Sequence, residues 1–262
     1  MKICIIGLDN ATPEVIFQDE RLTNLRRLMD VGLYGVVPSI RSATGGWAWQ
    51  CMLASQNAIS ADSQSLWQIL TGHGKNCLLA ASPKRLSADQ GESLSHQNLD
   101  LSREQWQEAN RCLTTQEWDA FQFIDFGLTR LVEQASQPDA AAGDGDTEGV
   151  VSDYYAWIDE QIGMLMELMD DQTILLVASA GSQQLPTQPG LFLLAAPNCP
   201  ISGEYDGATL LDLAPTLLDL AGYQVPTTMQ GRSLVAGMDK LVPGEEDQEK
   251  IIYDRLSGLG YV

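Results

Sequence analysis

Residues 174–182 read ILLVASAGS. A continuous apolar run of this kind fits a strand buried on both faces, as in the interior of a parallel sheet. The Ser-Ala-Gly-Ser turn that closes it lies where open α/β sheets place their working groups, at the carboxyl end of a strand. Yet the turn offers no carboxylate, imidazole or thiol.

The flanking segments alternate between strand and helix. KICIIGLD (2–9) is a β-rich run closed by Gly and Asp, and Pro13 behind Thr12 suits the first turn of a helix. In LTNLRRLMDVG, Leu22, Leu25, Leu28 and Met29 share one helical face before Gly32 ends it, and LYGVVPSI (33–40) reads as a strand. TGGWAWQCMLASQ has helical spacing, and LWQILTGHGKNCLLAASP continues as helix, turn and strand. QWQEANRCL is a helix, WDAFQFIDF a strand, DYYAWIDEQIGMLMELM an amphipathic helix, GLFLLAAP a strand, and TLLDLAPTLLDLAG a helix stopped by Gly222. Such alternation predicts a three-layer αβα sandwich around a mostly parallel central sheet. No repeat or second composition zone interrupts it, so residues 1–262 are expected to form a single domain. The acidic, Ala- and Gly-rich stretch 135–149 is expected to be a flexible surface loop.

The chain carries a net charge of −20 with 44% hydrophobic residues, enough to bury a core without a staple. That charge argues against nucleic acid and anionic membranes as partners. Five cysteines, at 4, 51, 77, 112 and 199, form no CxxC pair and read as buried apolar groups of a reducing compartment. The opening MKICIIGLD is charged too early for a signal segment, and no run reaches membrane-spanning length. A cytoplasmic location is expected.

Several motifs taken in order resemble the type I phosphodiesterase/nucleotide pyrophosphatase family of the alkaline phosphatase superfamily. IGLDNATPEVI is similar to its opening strand and metal-binding turn, and WAWQCMLAS to the segment that carries its nucleophile, TxPAWTSMLTG. PTLLDLAGYQVP with MQGRSL, and the terminal RLSGLGYV, are the most specific matches. The resemblance implies an alkaline phosphatase-like fold. It also implies a site in which two zinc or similar ions hold a phosphate oxygen and activate a Thr or Ser, each through at least three Asp or His ligands. This chain is shorter than typical members, and residues 82–118 are expected to hold a reduced cap remnant.

Few of the functional residues carry over. Asp9 matches the first ligand, and Asp125 the Asp of an Asp-x-x-x-His pair whose His falls on Thr129. The strand-end Ser-Asp-His-Gly falls on Ser179, Ala180, Gly181 and Ser182, and the last His lands near Gln188. The nucleophile position falls on Gly45, or on Thr44 with a one-residue gap, and the family Pro falls on Trp47. The two histidines, His73 and His96, match no ligand position.

These losses leave about one carboxylate per metal position, and the resemblance then implies a degenerate, non-catalytic member that binds a protein partner or a small ligand. The alternative is a phosphoric-ester hydrolase using Asp9, Thr44 and Asp125 with one Mg²⁺ or Mn²⁺, zinc being unsuited to so few ligands. A metal-free enzyme of another class is a third reading. Read without the resemblance, Asp9 is a helix cap or turn residue and Asp125 a partly buried carboxyl bonded to backbone. DGDTEG (144–149) lacks EF-hand spacing, TGHGK (71–75) has the reverse of P-loop order, and Trp67 belongs to a core face. Trp47 and Trp49 are expected at the rim of the old cleft as apolar anchors. A partner with a basic surface would suit both the net charge and an acidic cleft.

Overall fold

A computed structural model describes residues 1–39, 45–60, 62–80, 94–135, 147–181 and 187–238. Seven strands form one sheet: β1 (Lys2–Leu8), β2 (Leu33–Val37), β3 (Cys77–Ala80), β4 (Ala120–Asp125), β5 (Thr173–Ser179), β6 (Gly190–Ala195) and β7 (Gly203–Glu204). Their order across the sheet is β3-β4-β1-β5-β6-β2-β7. β3, β4, β1 and β5 run parallel, whereas β6 is antiparallel to both β5 and β2. The sheet is therefore mixed but mostly parallel, as the alternation of segments predicts.

Burial explains why the central strands are continuous apolar runs. Every residue of β5 is buried, and so is every residue of β1 after Lys2, because helices cover both faces of the sheet. Ile3 and Ile5 of β1 join one core layer with α3 (Gly45–Ala54), α4 (Leu66–Gly72) and α8 (Leu213–Leu220). Cys4, Ile6 and Leu8 point the other way. They pack with α1 (Pro13–Gln18), α2 (Thr23–Val31), α5 (Leu94–Thr115), α6 (Gly127–Ala135) and α7 (Thr147–Glu167). The period-two alternation of β1 thus serves two cores at once.

Pro13 opens α1 as expected, and a capping box between Ser65 and Gln68 starts α4. Of the stretch 82–118, residues 94–115 form α5, whose buried Trp106 sits in the core layer, while 82–93 lie outside the described residues. Of the stretch 135–149, residue 135 ends α6 and Thr147 begins α7; 136–146 lie outside the described residues. The terminal RLSGLGYV also lies outside them. Among the described residues no helix is long and apolar enough to cross a membrane.

The C-terminal end of α3 is pinned by Ser55. This fully buried serine adopts φ 51°, a left-handed conformation that non-glycine residues rarely take. Its hydroxyl donates to the Leu211 carbonyl at 2.7 Å and accepts from the Gly231 N–H at 2.9 Å. Those bonds oppose a backbone strain of about 1–3 kcal/mol. We expect Ser55→Ala, which keeps the strain and loses both bonds, to cost about 1–3 kcal/mol in urea unfolding. Ser55→Gly, which relieves the strain, should cost less; equal stability of Ser55→Ala and wild type would contradict this.

Candidate functional site

Strand register brings the candidate residues together. Leu8 pairs with Asp125 and Gly7 with Ala178, so the carboxyl ends of β4, β1 and β5 lie side by side. Asp9, Asp125, Ser179 and Ala180 therefore share one end of the sheet, and the Asp9 N–H donates to the Asp125 carbonyl at 2.9 Å. Gly45 starts α3 and Trp49 follows one helical turn later on the same face. Thr44 and Ser182 lie outside the described residues.

Asp9 is buried and receives two donors. The Trp49 indole Nε1 donates to its Oδ1 at 2.9 Å, and the Thr129 hydroxyl to its Oδ2 at 2.6 Å. Asn10, at φ 68°, donates through Nδ2 to the same Thr129 oxygen at 3.2 Å. The expectation that Asp9 caps the following helix is corrected: the N-cap of α1 is Thr12, whose side chain makes no capping bond. Asp9 instead links three elements. The carboxylate of β1's end holds α3 through Trp49 and α6 through Thr129.

Asp125 is equally engaged. The Gly127 N–H donates to its Oδ1 at 2.9 Å and the Tyr154 hydroxyl to its Oδ2 at 2.7 Å. The residue is 1% exposed, so it is buried more completely than expected; the expected backbone bond is present, with a tyrosine added. Nothing in the spacing of α7 singles out Tyr154, which lies within the apolar stripe of that helix. Burial raises the pKa of Asp125, against the bonds from Tyr154 and Gly127 and the nearby Arg130 charge. Burial also raises Asp9, with the Thr129 and Trp49 bonds opposing it and Asp125 and Glu133 adding repulsion.

The tryptophans divide differently from the expectation. Trp49 is 2% exposed and does not sit at a rim; its ring lies over Gly7, where a Cβ would stand 2.7 Å from the indole. A glycine inside a strand often marks such a close approach, and Gly7 was the signal in the sequence. Trp47 is half-buried, and Trp67 is half-buried against the core with its Nε1 donating to Gln122 at 2.7 Å. His73 is exposed, its ring 5.0 Å from that of Tyr223.

At the end of β5, Ser179 is fully buried and its hydroxyl accepts the Gly181 N–H at 3.2 Å. Ala180 is buried in the core layer that contains Trp49. Gly181 takes φ 78° with the Gln188 carbonyl packed against it, while the Gln188 side chain is exposed.

Comparison with known proteins fits this architecture. The chain superposes on a putative sulfatase from Bacteroides thetaiotaomicron with a TM-score of 0.63 at 13% identity, covering 89% of this chain and 73% of that one. For the phosphonate monoester hydrolase of Silicibacter pomeroyi the TM-score is 0.59 at 12% identity, with 89% and 75% covered. For the lipoteichoic acid synthase LtaP of Listeria monocytogenes it is 0.56 at 12%, with 85% and 72% covered. The fold is alkaline phosphatase-like. In sequence, the chain is 32% identical over 120 residues to a 2,3-bisphosphoglycerate-independent phosphoglycerate mutase from Natronomonas pharaonis. That match covers 40% of this chain and spans about a quarter (24%) of the mutase. No family model matches.

The alkaline phosphatase-like fold raises the question of a metal centre, and the described residues do not fit one. Each oxygen of Asp9 and Asp125 already accepts a hydrogen bond from Trp49, Thr129, Gly127 or Tyr154. Ala180 and Gly181 bring no donor atom in their side chains. Among the described residues no three His, Cys, Asp or Glu side chains come close enough to hold an ion.

The raised acids set a pH dependence. A carboxyl whose folded pKa exceeds its unfolded value contributes stability fully below about pH 4 and loses it as pH rises through the folded value. Asp125→Asn keeps an oxygen for Gly127 and turns an amide toward the Tyr154 oxygen. In urea unfolding from about pH 4.5 to about pH 8, this variant should gain stability relative to wild type as pH rises. A difference independent of pH would contradict the raised value.

Proposed function

We propose that this chain is a non-catalytic member of the phosphodiesterase/nucleotide pyrophosphatase family on an alkaline phosphatase-like fold, and that it acts by binding. The observation that carries this reading is the lack of metal-ligating side chains at positions 129, 180 and 181, beside two carboxyls that the fold uses as hydrogen-bond acceptors. Each of their oxygens accepts one hydrogen bond from the fold, and among the described residues no third His, Cys, Asp or Glu stands close enough to complete a set of metal ligands beside them. Thr129 supports it too: a hydroxyl stands where the resemblance puts an imidazole.

The net charge of −20 supports a cationic counterpart, either a protein with a basic surface or a small cationic ligand. Attraction of this type is long-ranged and weakens with salt.

Protein purified without chelator should contain no stoichiometric zinc, manganese or magnesium and should not turn over nitrophenyl phosphate or bis-nitrophenyl phosphate above a blank. Two tightly held metals per chain, or a turnover lost on Asp9→Ala, would establish the hydrolase instead. In the same preparation an oligolysine peptide should bind at low salt and dissociate as salt is raised. Absence of binding at low salt would remove the cationic partner.

A further inference from the structure

Taking the site as non-catalytic, we propose that its ligand positions have been built over, so that returning Asp and His to them does not regenerate a metal centre. Position 181 is closed by main chain. An ideal Cβ on Gly181 would stand 2.4 Å from the Gln188 carbonyl oxygen, 2.7 Å from the Gly190 nitrogen and 2.8 Å from the Pro189 carbonyl carbon. These are backbone atoms, which cannot swing aside as a long side chain would. The approach is mutual, for a Cβ on Gly190 would stand 2.0 Å from the Ser179 carbonyl oxygen and 2.8 Å from the Gly181 nitrogen. The φ of 78° at Gly181 further opposes any side chain there.

Position 180 is closed by desolvation. Ala180 is 3% exposed and belongs to the apolar layer with Ala178, Phe192 and Trp49. A carboxylate placed there would lose its hydration among hydrocarbon groups. Position 129, where Thr129 is half-buried, and the exposed Gln188 remain permissive. In place of an ion that would tie the strand ends to the surrounding helices, Asp9 now ties α3 and α6 to β1 through Trp49 and Thr129.

The test uses the full chain in four forms: wild type, Gly181→Ala, Thr129→His, and Thr129→His/Ala180→Asp/Gly181→His. Each is melted with and without excess zinc, and bound zinc is measured after dialysis. We expect Gly181→Ala to melt at least about 4 °C below wild type. Thr129→His should stay folded. The triple variant should retain substoichiometric zinc and gain no thermal stability from it. A folded triple variant that holds zinc stoichiometrically and melts higher with it would overturn the proposal. So would a Gly181→Ala that melts with wild type, and this arm decides the matter alone if the triple variant does not fold. Zinc bound by the wild type would instead contradict the non-catalytic reading, so the two failures are separable.

Discussion

The buried carboxylate of Asp9 constrains the end of the sheet. It stands at the end of β1, the strand flanked by both β4 and β5, and a charge held there needs donors on all sides. Trp49 and Thr129 supply them from opposite layers, since Trp49 belongs to the helices over one face and Thr129 to a helix over the other. The rest follows from that demand. Gly7 has no side chain so that the indole can lie flat on the strand, and Asn10 adopts a left-handed conformation with its amide on the Thr129 hydroxyl. Asp125 on the adjacent strand repels Asp9 and is met by its own donors, Gly127 and Tyr154.

Groups arranged in this way cross-link the strand end to helices of both layers. A catalytic ion needs about three protein ligands, and the proposed non-catalytic role rests on the side chains missing at 129, 180 and 181. Here the hydrogen bonds close inside the protein. At the end of β5, backbone stands where a side chain on Gly181 or Gly190 would go. The net charge of −20 is why a cationic counterpart is the proposed target.

The layers were legible in the sequence because burial on two faces writes itself as unbroken apolar runs, as in KICIIGL and TILLVAS. Motif order pointed to the fold, although identity to the solved structures is only 12–13%. Less legible was the reversal of β6, for an apolar run such as GLFLLA reads alike in either direction. The roles of Trp49 and Tyr154 were hidden for a related reason. Each sits in an apolar helical stripe, and nothing in spacing tells a core aromatic from one that donates a hydrogen bond through its polar tip. Asp9 misled as a helix cap because an Asp before a helix usually does cap it, whereas here tertiary donors take its oxygens.

The Trp49–Asp9 bond can be watched directly. In ¹H–¹⁵N spectra of the labelled chain, with the Trp49 indole assigned through Trp49→Phe, its N–H should exchange slowly with solvent and shift on Asp9→Asn. It should not respond to added zinc or phosphate. A rapidly exchanging Trp49 indole, or one that moves when zinc is added to the wild type, would show that Asp9 is free for other chemistry and would contradict the account.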